Sequence, residues 1–251
     1  MTERGADIPR KRADTGLWQV GFLALLLVLV VLPGEWCTLA LAAWGGAALG
    51  SWIATVSMRD VIRRLVLWAM IAAYIAPVAL LTAGPAYVGA ALAPLAVLGL
   101  VALLPRSDTG PAAGDWANGV VAVAWAVLGV AALFGLRTIP ETLGSAAMPV
   151  VGALLAYATG RRAASMQGFS NRVALGVGMT LAVAGSIAFS DTKQAVATVL
   201  GVALGITLSQ FAPAPPRSSR PGMTALMEAQ QQVVFAAPIT FGILWAAGTL
   251  L

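Results

Sequence analysis

The stretch RVALGVGMTLAVAGSIAFSDTKQAVATVLGVALGITLSQF, residues 172–211, decides the fold of this chain. It contains two apolar runs, 173–189 and 195–211, which carry no charge and are joined by the polar tip 190–194. As a helix, each run would be about 25 Å long, close to the roughly 30 Å hydrocarbon thickness of a bilayer. The stretch therefore predicts two membrane-spanning helices joined by a polar turn at one membrane face.

The composition of the chain predicts that lipid is the solvent for most of its surface. Hydrophobic residues make up 59% of the 251 residues, and charged residues make up only 10%. A soluble domain carries about 25% charged residues. We therefore predict an all-α protein, built as a polytopic bundle of membrane helices.

Further apolar runs extend this bundle to about nine spans. They are residues 17–32, 38–56, 65–83, 86–104, 119–136, 145–159 and 233–251. The segments between them are rich in Pro, Gly and charged residues, which end helices. Run 17–32 follows a basic flank, but no small-residue cleavage site comes after it, so we predict an uncleaved first span.

The same pattern divides the chain into four parts. Residues 1–16 are expected to be a disordered cytoplasmic tail, residues 17–211 an eight-span bundle, and residues 233–251 the last membrane helix. The Pro-rich segment 212–232 is predicted to be a cytoplasmic linker, because closely spaced prolines remove backbone donors. From Thr224 onward its composition favours helix, and this part is expected to extend the last span into the cytoplasm.

The basic residues predict the orientation of the bundle. With the N-terminus in the cytoplasm, thirteen of the fifteen Lys and Arg residues fall in cytoplasmic segments, leaving only Arg137 and Lys193 outside. The thirteen are Arg4, Arg10, Lys11, Arg12, Arg59, Arg63, Arg64, Arg106, Arg161, Arg162, Arg172, Arg217 and Arg220. Because basic residues concentrate in cytoplasmic loops, this distribution places the tip 190–194 on the outer face. Thirteen arginines against two lysines, with abundant Ala and Gly, favour a bacterial plasma membrane.

Small residues recur every fourth position in several runs. Gly46 and Gly50 form one Gly-x-x-x-Gly pair, and Gly201 and Gly205 form another. This spacing places small residues on one helix face, where two backbones can approach closely in lipid. The pairs are expected to pack helices inside the bundle; a homodimer face and a sliding interface in a transport cycle are the alternatives.

Two pairs of charged residues are candidates for substrate binding on the outer face. Asp191 and Lys193 flank the tip of the hairpin, and Arg137 and Glu141 lie in the other charged outer loop. The first pair is interpreted as a gate or a site for a zwitterionic solute, the second as a salt bridge in an outer vestibule. The alternatives are a capped, solvated turn and loop charges that contribute little.

Two basic cytoplasmic turns are candidates for phosphate binding. They contain Arg63 and Arg64, and Arg161 and Arg162. Contact with anionic lipid headgroups would contribute about 1 kcal/mol for each arginine. A site for a phosphorylated, lipid-linked substrate is the sharper alternative.

Several classes of function are disfavoured by what the sequence lacks. It contains no histidine and a single cysteine, Cys37, so no internal disulfide, histidine-ligated haem or cysteine-based metal site is expected, and we predict no cofactor or metal. The net charge of +5 is spread in short clusters between apolar runs, which indicates membrane orientation and not nucleic-acid binding.

These patterns favour a non-enzymatic integral membrane protein. The leading hypothesis is a permease, or the membrane subunit of a transport or secretion assembly, for a small or lipidic solute. A lipid-modifying enzyme that holds phosphate with cytoplasmic arginines is one alternative. A structural subunit is the other. Membrane lipids are the expected partners, together with a second copy of the chain or another membrane protein.

Overall fold

The computed structural model describes residues 7–55, 125–126, 128–141, 144–190, 192–212 and 218–250, and these residues form an all-α structure. Its helices are α1 (Asp7–Val31), α2 (Gly34–Thr55), α3 (Leu128–Arg137), α4 (Ala147–Met166), α5 (Asn171–Phe189), α6 (Thr192–Phe211) and α7 (Pro221–Leu250). Between α3 and α4, the two-residue strands β1 (Pro140–Glu141) and β2 (Gly144–Ser145) pair antiparallel.

The last helix, α7, is the centre of the bundle. It packs against α1, α2, α4 and α6. Helix α3 also packs on it, through glycines whose Cα atoms face Gln230 and Phe241. Most α7 residues from Ala225 to Ala237 are buried, as expected for a helix enclosed by others.

The hairpin chosen from the sequence is formed by α5 and α6, and its helix bounds lie within three residues of the predicted runs. Helices α5 and α6 each contain a stretch long and apolar enough to cross a membrane; these stretches are the only two such found among the described residues. Two candidate spans do not confirm the predicted count of nine. The predicted spans 65–83 and 86–104 lie outside the described residues.

Two polar segments next to apolar runs are helical in the structure. Helix α1 already begins at Asp7, so residues 7–16 are helical where we expected a disordered tail. Pro9 lies in the first turn, where no intrahelical donor is needed. Helix α7 begins at Pro221, three residues before Thr224, from which the segment was expected to be helical. Proline is favoured at the first helical position because its φ is preset.

The outward faces of α5 and α6 are apolar. Only 28% of the apolar window of α5 and 39% of that of α6 is buried, whereas a core helix of a soluble protein would be mostly buried. Large side chains point outward on both helices: Val173, Val177, Leu181, Val196, Leu200, Leu204 and Leu208. The buried positions of α5 are the small residues Ala174, Gly178, Ala182, Gly185 and Ser186. Large apolar groups outside and small groups inside are typical of helices that face lipid.

Contacts between the helix ends define the two ends of the bundle. At one end, a Cβ on Gly16 would lie 3.4 Å from Arg162 Nη1, and a Cβ on Gly222 would lie 4.0 Å from Trp18 Cδ2. The start of the apolar part of α1, the end of α4 and the start of α7 therefore meet there. At the other end, Arg137 Nη2 at the end of α3 donates to Leu32 O, just after α1, over 2.7 Å.

Candidate functional site: a polar layer around α7

Buried polar side chains meet around the first half of α7. Gln230 is completely buried, and its Oε1 accepts a hydrogen bond of 2.7 Å from Trp44 Nε1 on α2. Its Nε2 donates to the carbonyl oxygens of Ala126 (3.2 Å) and Trp125 (3.4 Å), just ahead of α3. A single amide thus joins three separate segments of the bundle.

A second set of hydrogen bonds continues from α7 towards α4. Gln231 Nε2 donates to Ser209 O on α6 over 3.4 Å. Gln210 Nε2 donates to Ser209 Oγ and to the hydroxyl oxygen of the completely buried Tyr157, both over 3.4 Å. Gln210 itself is exposed, so this set of bonds reaches the surface of the bundle. We call Trp44, Tyr157, Ser209, Gln210, Gln230 and Gln231 the polar layer.

The polar layer extends from the middle of α2 and α4 to the end of α6. Trp44 is ten residues from the start of α2 and eleven from its end, and Tyr157 is ten residues from the start of α4 and nine from its end. Gln230 is nine residues from the start of α7 and twenty from its end, and Gln210 is one residue from the end of α6. At 1.5 Å per residue, Trp44 and Tyr157 are about 14–16 Å from the ends of their helices. In a bilayer of about 30 Å hydrocarbon thickness, that depth is close to the midplane.

Glycine at position 129 makes room for the Gln230 side chain. A Cβ on Gly129 would lie 2.6 Å from Gln230 Nε2 and 3.0 Å from Val234 Cγ2. Both distances are shorter than van der Waals contact allows, so a larger residue would displace the amide from the carbonyls it binds. The sequence feature that positions this amide is therefore the absence of a side chain on the facing helix.

Gln232 Oε1 on α7 and Thr198 Oγ1 on α6 are buried polar atoms without a hydrogen-bond partner. Gln232 is 5% exposed and Thr198 is 0% exposed. An unpaired polar group in an apolar interior costs about 1–3 kcal/mol, so both atoms are suited to bind a group that enters the bundle.

Of the substrate-binding candidates predicted from the sequence, Arg137 is the one whose side chain is described. Its bond to Leu32 O satisfies a carbonyl at the end of α1 that has no partner within the helix. Lys193 lies in the first turn of α6 and Glu141 lies on β1, while Asp191 lies outside the described residues. Arg137 thus ties α1 to α3.

Arg137 also acts on the only cysteine of the chain. Cys37 is buried, with its Sγ 4.0 Å from Val30 O. Burial raises the pKa of the Cys37 thiol, and the charge and hydrogen bond of Arg137 offset part of that rise. The thiol is therefore protonated at neutral pH.

The phosphate-binding candidates are found in different surroundings. Arg63 and Arg64 lie outside the described residues. Arg161 and Arg162 belong to α4, which continues to Met166 beyond the predicted end of its span. The charge of Arg161 acts on the Tyr157 hydroxyl, and Arg162 reaches α1 beside Gly16. The pair thus lies near both the polar layer and one end of the bundle.

The glycines predicted to pack helices differ in their contacts. A Cβ on Gly201 would lie 2.6 Å from Thr240 Cα, and one on Gly205 would overlap Ala236 Cα and lie 2.6 Å from Ala236 N. Both glycines therefore bring α6 into backbone contact with α7. Gly46 is half-buried in α2. Gly50 is exposed, and a Cβ there would meet nothing within 4 Å.

Sequence reasoning missed the polar layer. It assigned Gln230, Gln231 and Gln232 to a cytoplasmic helix extension, because polar residues before an apolar run are usually solvated. The unbroken helix-forming composition from Thr224 into the apolar run made the glutamines part of the last helix, but no local signal indicated that neighbouring helices would bury them. Within the described ranges, no group of three or more His, Cys, Asp or Glu residues could hold a metal ion.

Comparisons of this chain with protein-family models, with curated proteins and with solved structures found no match.

Proposed function

We propose that this chain is a multi-pass protein of a bacterial plasma membrane, with about nine spans and a cytoplasmic N-terminus, and that it is a permease for a small solute. The observation that carries the proposal is the polar layer, which places Trp44 and Tyr157 about midway along α2 and α4 and links them by hydrogen bonds to α6 and α7. Sites in secondary transporters lie at this depth, near the bilayer midplane.

The outer surface of the bundle supports the membrane part of the proposal. Helices α5 and α6 expose large apolar side chains and carry no charge between Val173 and Phe189 or between Ala195 and Phe211. Lipid chains solvate such a surface, whereas water does not. The ends of the bundle support the predicted orientation, because segments predicted to be cytoplasmic meet at Gly16, Arg162 and Gly222.

The polar interior supports the transport part of the proposal. Polar side chains inside a membrane protein face the interior or a cavity and often mark a substrate pathway. Here they come from α2, α4, α6 and α7, and one of them, Gln210, is exposed at the edge of the bundle. A solute could therefore exchange hydrogen bonds with the layer from that edge.

Solute flux into proteoliposomes tests the proposal. The purified full-length chain is reconstituted, and uptake of glycerol, urea, glucose, potassium and acetate is compared with that of protein-free vesicles. We expect at least one solute to enter faster with the protein. Gln231→Leu should lower that flux about tenfold, because one buried hydrogen bond to the layer is worth about 1–3 kcal/mol when its partner is left unpaired.

Gln167→Leu is the matched control, because Gln167 is an exposed glutamine just after α4. It makes the same chemical change away from the layer and should leave the flux unchanged. Flux equal to that of empty vesicles for every solute would overturn the permease proposal and favour the structural-subunit alternative. Equal losses in both variants would show that flux does not depend on the layer.

A further inference from the structure

We propose that the contact of α6 with α7 at Gly201 and Gly205 is a gate between two polar half-sites, and that the half-site at Thr198 binds a small neutral solute with a hydrogen-bonding group. This inference rests on the proposed permease function. It adds the path through the bundle, the moving contact and the chemical class of the solute.

The Thr198 hydroxyl differs from other helical Ser and Thr hydroxyls whose bonds are known. Six Ser and Thr hydroxyls donate to the carbonyl four residues earlier over 2.7–3.0 Å: Ser51, Thr55, Thr180, Ser186, Thr207 and Thr240. Thr198 is completely buried, yet its Oγ1 has no partner. Its hydroxyl is therefore left to bind something that is not its own backbone.

Thr198 lies on the face of α6 that packs against α7. It precedes Gly201 by three residues and Gly205 by seven, and these spacings return to the same helix face. Gly201 faces Thr240, Gly205 faces Ala236, and Ser209 accepts from Gln231. These pairs show that α6 and α7 run antiparallel. Thr198 and the polar layer therefore lie on opposite sides of the glycine contact.

The glycine contact closes the path between the two half-sites. The two backbones touch there so closely that a Cβ on either glycine would lie 2.6 Å or less from an α7 backbone atom. Pro238 lies in α7 between the residues that face the two glycines. Proline removes one helical hydrogen bond and weakens the helix at that point. Bending of α7 at Pro238 would separate the backbones and connect the half-sites.

The chemistry of Thr198 and of the polar-layer groups on the side facing the glycine contact indicates a neutral solute. Thr198 provides a hydroxyl, and the facing part of the polar layer provides the Ser209 carbonyl and the Gln231 amide. These groups are uncharged, and they can donate to or accept from hydroxyl and amide groups. A desolvated ion would need an opposite charge or several aligned dipoles to offset its burial, so a polyol or a urea-like amide fits better.

Thiol reactivity tests whether water and solute reach Thr198. In the full-length chain with Cys37→Ser, the variants Thr198→Cys and Leu200→Cys are reconstituted and treated with methyl methanethiosulfonate. Leu200 is the matched control, because it lies two residues away on the exposed apolar face of α6. Only the thiolate reacts, and it forms in contact with water, so we expect modification at position 198 to be about tenfold faster or more. Equal or slower modification at 198 overturns the proposal.

Flux through Thr198 variants provides the second test. Thr198→Val keeps the shape but removes the hydroxyl and should lower glycerol or urea flux, whereas Thr198→Ser keeps the hydroxyl and should retain most of it. Unchanged flux in Thr198→Val, with position 198 unreactive, overturns the gate and leaves the permease function standing. If potassium or acetate enters and neither glycerol nor urea does, the proposal that the solute is neutral is overturned. Absence of all flux in the unmodified chain overturns the permease function itself.

Discussion

At the residue scale, the three consecutive glutamines of α7 reveal how that helix is enclosed. Successive residues of a helix point about 100° apart, so Gln230, Gln231 and Gln232 face three different directions. All three are buried, with exposures of 0%, 8% and 5%. The helix is therefore covered on most of its circumference at this turn. This requires neighbouring helices with polar or small groups at the same depth, such as Trp44 and Gly129.

The thiol of Cys37 should react slowly in the folded protein. It is completely buried, and burial raises its pKa. The reactive thiolate therefore forms only at higher pH than in an exposed cysteine, and the fraction available at neutral pH falls. We expect alkylation by N-ethylmaleimide at pH 7.5 in mild detergent to be about tenfold slower or more than in the denatured chain.

The control for this measurement is a cysteine at exposed Gln167 in a Cys37→Ser chain, which should react at nearly the same rate folded and denatured. Rapid alkylation of Cys37 in the folded protein would contradict both its burial and the raised pKa.

At the element scale, the contact of α6 with α7 depends on a missing side chain. Gly205→Ala would push a Cβ into the backbone of Ala236 and Phe235, and overpacking of this kind costs about 1–3 kcal/mol. We expect a lower midpoint of thermal unfolding in detergent for this variant, followed by loss of helical circular dichroism.

Gly242→Ala on α7 is the matched substitution, because a Cβ there would meet nothing within 4 Å. Alanine has the higher helix propensity by about 1 kcal/mol, so this variant should unfold at the same temperature or higher. If Gly205→Ala were as stable as Gly242→Ala, the two helices would not be in backbone contact.

Helix existence was predictable from local sequence, whereas helix position was not. Residues 173–189 and 195–211 are long, uncharged and bounded by polar residues, so α5 and α6 could be placed closely. Their location at the periphery of the described bundle, with α7 at the centre, could not be predicted. In the sequence, α5 and the last helix are both apolar runs. Only the helices packed around each one distinguish a peripheral helix from a central one.

At the scale of the whole molecule, the two ends of the bundle should lie on opposite sides of a membrane. Gln167 follows α4 at the end that holds Arg162, and Thr138 follows α3 at the end where Arg137 binds Leu32 O. In Cys37→Ser chains, an impermeant maleimide added to intact cells should label Thr138→Cys and leave Gln167→Cys unlabelled. Inside-out vesicles should give the reverse, because basic segments face the cytoplasm. Labelling of both positions from the same side would contradict the proposed orientation.

The sequence by itself determined the all-α class, the positions of α5 and α6, and the apolar character of their surfaces, because these depend on short-range composition and spacing. Only the tertiary structure decided which helix is central, where the glutamines of α7 lie, and which glycines touch another backbone. The physical reason is that a polar side chain next to an apolar run has the same helix propensity whether its helix face is solvated or buried. Its partners, such as Trp44 for Gln230, lie 186 residues away in the chain.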